Sequence, residues 1–201
     1  ADVEILKSSP LFEGLWEVGK RYPVWMSHGT HQAIGQPNFD GLLQCVRDGD
    51  DLAAGALRVQ PFTVPHDARE PLQLRCSDGD RVLGIATDLG HATAHVVDSL
   101  HQCHALLLES NHDPGMLAAS RYPEFLKRRV AGDLGHLSNA AAAALAARLN
   151  HGRLGHVLAG HLSERNNLPE LAAAALAPAL NRNLSDVLLA DAANGSDWLC
   201  V

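Results

Sequence analysis

The chain has 201 residues, with 16 basic and 23 acidic side chains and a formal net charge of −7. At 46% hydrophobic and 19% charged residues it has the makeup of a globular domain that buries a core without disulfide staples. No apolar run approaches the ~20 residues that cross a bilayer. The opening Ala1-Asp2-Val3-Glu4 lacks the basic-then-apolar pattern of a leader. A soluble cytoplasmic protein is expected, and the acidic balance argues against a strongly basic nucleic-acid module while leaving room for a local basic patch. Cys45, Cys76, Cys103 and Cys200 are widely spaced with no Cys-x-x-Cys pair, and they read as reduced thiols. The outlying count is histidine, at 12. Imidazole is the commonest metal ligand and the usual acid–base group near neutral pH.

No repeat or low-complexity linker divides the chain, so a single domain over residues 1–201 is expected. His28 and His31 have the spacing of a helix start and read as capped or exposed groups. Leu57 to Val64 reads as a strand ending at Pro65-His66. Leu72 to Cys76 alternates, and Ser77-Asp78-Gly79-Asp80 turns the chain into the apolar strand Val82 to Ala86. Ala92 to Leu100 reads as a helix and Ala105 to Leu108 as a short buried strand. Ser138 or Asn139 can cap the Ala-rich helix that follows. Val157 to Ala159 is a strand, and Pro169 suits the first turn of a helix running to about Leu180. Val187 to Leu189 and Trp198 to Val201 are expected as closing strands. Strands and helices intermix throughout, which predicts an α/β or α+β layered domain.

Ligand-type residues stand where these strands run out. His66 follows the first strand, Asp88 the strand at Val82, Asn111-His112-Asp113 the strand at Ala105, and His161 the strand at Val157. Neighbouring strands bring such ends together in space, and imidazole with carboxylate is the donor set of a catalytic zinc or manganese ion. A single residue of this kind is more often a strand-end polar group or a cap; the repetition is what points to a site. His91 and His95 are four apart on the expected helix, so one face could present both. His101 and His104 flank Cys103 and read as a helix end near solvent, and His151 and His156 as loop and strand-edge groups. Arg121, Lys127, Arg128 and Arg129 form the clearest basic cluster, with a solvated face and a phosphodiester contact as its two readings.

The strings Pro61-Phe62-Thr63-Val64-Pro65-His66-Asp67-Ala68, Thr87-Asp88-Leu89-Gly90, Leu108-Glu109-Ser110-Asn111-His112-Asp113, Gly135-His136-Leu137-Ser138-Asn139 and His161-Leu162-Ser163-Glu164-Arg165-Asn166-Asn167 are similar to those of the metallo-β-lactamase-fold hydrolases. The resemblance runs from about Tyr22 to the C-terminus and is greatest to a bacterial branch of phosphodiesterases and 5′-to-3′ DNA exonucleases. It implies a four-layer αββα sandwich and a metal-dependent hydrolase that cleaves phosphodiesters of nucleic acid or of a small diester. It implies two divalent cations, zinc with manganese as the alternative. His66, Asp88 and His161 would be the ligands, with Asp88 bridging, and His136 a non-ligand histidine beside the scissile phosphate. Asn111, His112, Asp113, Ser138, Asn139, Asn166 and Asn167 would contact substrate or support the ligands.

The family's His-x-His-x-Asp-His run, which supplies ligands to both metals ahead of Arg21-Tyr22-Pro23-Val24-Trp25, does not occur in this sequence. Omission of that segment is favoured over a metal-depleted scaffold, because His66, Asp88 and His161 have no other chemical reason to stand together. The chain by itself is then expected to bind metal weakly and to be inactive. A binding or scaffold domain, and hydrolysis of a thioester, lactone or β-lactam, are the alternatives.

Overall fold

The computed structural model describes residues 46–191 and 195–201, together with two short strands nearer the start. His28, His31 and Cys45 lie outside the described residues. The chain divides into two compact units, Ala1–Leu43 and Gln44–Val201. In the first unit β1 (Asp2–Glu4) pairs antiparallel with β2 (Arg21–Pro23).

In the second unit β3 (Leu52–Ala54), β4 (Leu57–Thr63), β5 (Leu72–Ser77) and β6 (Val82–Ala86) form an antiparallel meander. Short turns suffice for this half because antiparallel neighbours need no crossover. β7 (Ala105–Glu109), β8 (His156–Gly160) and β9 (Leu188–Leu189) then extend the sheet parallel to β6, giving seven strands in chain order. Each parallel step is crossed by helix: α1 (Ala94–Leu100), then α2 (Pro114–Ala119), α3 (Glu124–Val130) and α4 (Asn139–Leu149), then α5 (Pro169–Ala179).

The helix starts follow from single side chains. Thr93 accepts a hydrogen bond from the Val96 N–H, Asp113 from the Met116 N–H and Ser138 from the Ala141 N–H. The α1 cap places His91 ahead of the helix and His95 within it, so the expected shared face does not exist. The β3–β4 hairpin was not expected, since Leu52-Ala53-Ala54 carries almost no strand pattern. Trp198 to Val201 forms no strand. β9, at two residues, is too short an edge to template one, and Trp198 is 99% exposed.

One core fills the space between the sheet and α1, α4 and α5. Leu106, Leu108, Val157 and Ala159 project to that face and meet Val96, Leu100, Leu145, Leu149 and Leu176. Fully burying one such leucine stabilises by about 1.5–3 kcal/mol. Along the same strands, Leu83, Ile85, Leu107 and Leu158 point the other way and are only half buried. Together with residues from Ser196 to Val201 they line a depression of about 340 Å³. The described residues thus supply one sheet and one helical layer of the expected αββα arrangement. No helix among them is long and apolar enough to cross a membrane.

Cys103 sits inside this core, and burial pushes its thiol up to about 11. Cys200 is exposed. A thiol raised in this way carries almost no thiolate at pH 8. Iodoacetamide should therefore label Cys200 in the folded protein and leave Cys103 until denaturant is added, read by peptide mass mapping. Native labelling of both would show that the β6–β7–α1 packing is looser than described.

Candidate metal centre

The site grows out of strand direction. β4 and β6 both run opposite to β5 and so run alike, and β7 and β8 are parallel to β6. The C-terminal ends of β4, β6, β7 and β8 therefore open on the same edge. The register sets Ala86 beside Leu108 and Glu109 beside Gly160. Asp88, Glu109 and His161 are brought together by that alignment, and His66 follows β4 to the same edge.

The four candidate groups gather around one oxygen. Asp88 Oδ1 lies 3.7 Å from His66 Nε2, 3.9 Å from His136 Nδ1 and 3.8 Å from His161 Nδ1. The His136 ring stands between the other two, with centroids 5.1 Å from each. Asp88 and His161 both hold left-handed backbone, with φ of 53° and 55°. That conformation is uncommon outside glycine and clusters at functional positions.

Beneath them lies Glu109, which sequence reasoning left out because within Leu106-Leu107-Leu108-Glu109 it reads as the last residue of a strand. Its carboxylate is fully buried. Oε1 accepts from His136 Nδ1 at 2.8 Å and from His161 Nδ1 at 2.6 Å, while Oε2 accepts from the Leu89 and Leu137 N–H groups at 3.1 and 3.2 Å. Burial alone would push this carboxyl up. The hydrogen bonds from His136, His161 and Leu89 outweigh it and hold the group down at about 2. In return the Glu109 hydrogen bond raises His161 above the ordinary imidazole range, against burial that lowers it.

An ionised carboxylate only accepts, so both rings present an Nδ1–H to Glu109, and in the neutral ring it is Nε2 that carries the lone pair. His66 is fixed in the same sense by the Gly135 carbonyl, 3.1 Å from its Nδ1. Imidazoles oriented through Nδ1 beside a shared carboxylate are the arrangement that holds a divalent cation, and the N/O donor set suits zinc or manganese. The ligand-type atoms of Asp88, Glu109, His136 and His161 all lie within 4.8 Å of one another. The donors present fit such an ion.

The remaining expected site residues tie the loops together. Asn139 and Asn167 are buried and exchange amide hydrogen bonds, Ser110 Oγ donates to Asn139, and Asn167 also donates to the Ser110 and Asn111 carbonyls. Asn111 Nδ2 donates to the His161 carbonyl at 2.9 Å, which positions the His161 backbone. Ser138 and Asp113 cap α4 and α2. His112 and Asn166 are buried, and His112 Nδ1 and Asn166 Oδ1 have no hydrogen-bond partner among the described residues.

Among the described residues, none of the other histidines joins the cluster. His91 bonds the Asp133 carbonyl, and His95 pairs with Asp48 at 2.8 Å. His101 ends α1, as expected, but His104 is buried and accepts the Val82 N–H, so that pair is not a solvent-facing helix end.

No family model matches the chain. It is 36% identical over 167 residues to the exodeoxyribonuclease YycJ of Bacillus anthracis and 35% identical over 166 residues to the exodeoxyribonuclease WalJ of Streptococcus pneumoniae. These matches take in 80% and 79% of the chain and 62% of each relative, so the chain spans under two thirds of their length. A separate similarity, 76% over 83 residues, is to the glutamine-hydrolysing GMP synthase of Agrobacterium fabrum, covering 41% of this chain and 15% of that enzyme. Among solved structures, the metallo-β-lactamase fold protein YhfI of Bacillus subtilis superposes with a TM-score of 0.55 at 14% identity, over 73% of this chain and 52% of that one. Zinc-bound PqqB of Methylobacterium extorquens gives 0.54 at 15%, over 79% and 52%. The described residues have the metallo-β-lactamase fold, as one sheet and one helical layer of it. Within that fold, its sequence is similar to the two exodeoxyribonucleases.

Two substitutions test the frame. Glu109→Gln places an amide N–H where only donors point, and should lower the unfolding free energy by about 2–4 kcal/mol in chemical denaturation. Because the folded carboxyl is depressed from 4.5 to about 2, its contribution is full above pH 4.5 and fades as pH falls toward 2. Wild type should lose that increment on acidification, and the variant should not. Gly90 packs against the loop before His136, where an added Cβ would stand 2.2 Å from the Asp133 carbonyl oxygen. Gly90→Ala should destabilise by about 1–3 kcal/mol; an unchanged midpoint would show that the loop is free to move.

Proposed function

We propose that the chain is the metal-dependent hydrolase portion of a phosphodiesterase acting on DNA, of exodeoxyribonuclease type. The observation that carries this is the convergence of His66, Asp88, His136 and His161 on one sheet edge, with Glu109 fixing two of the rings. The similarity to two exodeoxyribonucleases supplies the substrate class. His66, Asp88 and His161 would hold divalent cations, zinc first and manganese second, with the two Asp88 oxygens suited to sharing between two ions. When bound, such ions polarise a phosphoryl oxygen and generate a nucleophile from water at neutral pH.

The protein's own part is acid–base and electrostatic. His136 is a quarter exposed, unlike the buried Glu109 that holds its Nδ1–H. Its Nε2 is the atom left to exchange a proton with a diester oxygen. Glu109 stabilises the imidazolium that forms, as a buried carboxylate does behind a catalytic histidine. The positive end of the α4 dipole, just beyond His136, favours an anion at the same place.

The test is hydrolysis of bis(p-nitrophenyl) phosphate and of end-labelled DNA with added zinc or manganese. Activity that depends on the cation and is lost in Asp88→Asn supports the reading. Nucleic-acid binding without hydrolysis, in protein that mass spectrometry shows to hold its cations, would make the chain a scaffold. In active protein, His136→Ala should lower kcat by ~10²–10⁴-fold, the range for lost acid–base assistance, while metal content measured by mass spectrometry stays level. Loss of metal in that variant would make His136 a ligand or its orienter.

A further inference from the structure

We infer that α3 is a platform for single-stranded nucleic acid, leading an unpaired strand to the metal centre. The helix is built for solvent: none of its residues is buried, and Phe125 is 67% exposed on it. A large exposed aromatic on a short helix has no role in the core. Four cations, Arg121, Lys127, Arg128 and Arg129, crowd this stretch against the single acid Glu124, in a protein whose net charge is −7.

The cations divide by what they touch. Lys127 is held by the Ala118 carbonyl and Glu124. Arg129 Nε donates to Asp67 Oδ2 at 2.5 Å, and Asp67 Oδ1 lies 3.4 Å from His66 Nε2. Arg121 and Arg128 are exposed and make no ion pair among the described residues. Phe125, Arg128 and Arg129 are three and four residues apart and share a helix face. That face runs from an exposed ring, past an uncommitted guanidinium, to an ion pair adjoining His66. The end of α3 is fastened to the site by the His136 N–H, which donates to the Val130 carbonyl at 2.9 Å.

An exposed ring offers its π-face to a base that is itself unpaired, and guanidinium binds the phosphates on either side. A duplex hides its base faces and would use only the charges. The platform rests on the nuclease reading for its purpose, while its binding is measurable without catalysis.

Fluorescence anisotropy of a labelled oligothymidylate, in EDTA so that no cleavage consumes the probe, should show salt-dependent binding that an equal length of duplex does not match. Phe125→Ala should weaken it roughly 5- to 100-fold, as for a lost base-stacking contact. Arg128→Ala should flatten the slope of log affinity against log salt by about 0.7, one phosphate of a single strand. Both positions are surface, so unchanged thermal midpoints confirm intact folding. Equal affinity for duplex and no effect of Phe125→Ala would overturn the inference. Wild-type hydrolysis of the small diester, measured separately, reports on the nuclease reading alone: diester cleavage with no strand binding removes the platform and leaves the enzyme. Strand binding with no cleavage does the reverse.

Discussion

A carboxylate without exposed surface holds the site end of this sheet in place. An ionised carboxyl in the interior costs several kcal/mol unless it is paired and fully hydrogen-bonded. Glu109 meets that condition through His136, His161, Leu89 and Leu137. These partners come from the loops after β6, after α3 and after β8, so one side chain on β7 sets the positions of three others. Removing any of them leaves a buried group without its partner. The rings are consequently fixed in tautomer as well as in place, a requirement for metal binding and for proton transfer alike.

The second constraint is the parallel register of β6, β7 and β8. Hydrogen bonding along the strands decides which residues emerge together, and Asp88 and His161 emerge in left-handed backbone that turns each chain sharply at its strand end. The asparagine network of Asn111, Asn139 and Asn167 then holds these turns by amide hydrogen bonds to backbone and to one another. A buried network of this kind rigidifies only when its members are satisfied. The atoms without a partner among the described residues, His112 Nδ1 and Asn166 Oδ1, belong to the sequence neighbours of Asn111 and Asn167 and not to the network.

Most of the sheet was legible in the sequence because its strands are short apolar runs bounded by turn residues. The Val82 to Ala86 strand, the Ser138-capped start of α4 and the Pro169 start of α5 follow from local chemistry alone. His66, Asp88 and His161 were legible as ligand types at strand ends, but their function rested on resemblance. Glu109 was not legible: its partners are 20 to 52 positions away, and no local pattern separates a buried acid from an ordinary strand-end residue. His91 was misplaced because helical spacing from Asp88 onward looks continuous, and only the Thr93 cap fixes the true start. Trp198 to Val201 has strand composition but pairs with no strand among the described residues, a tertiary condition that composition does not contain.

The basic cluster shows how position converts an ambiguous sequence signal into chemistry. Four cations in a short stretch of an acidic protein fit equally well with a solvated helix. What separates the readings is that α3 abuts the loop carrying His136, and that Arg129 is tied to the residue after His66. A solvated helix needs no exposed phenylalanine, and burying none of its residues gains it little stability. Its start has no side-chain cap, and its last turn is closed by backbone bonds, with the His136 N–H on the Val130 carbonyl the bond that couples it to the centre. The surface that is least useful to the core is thereby the one most directly joined to the site.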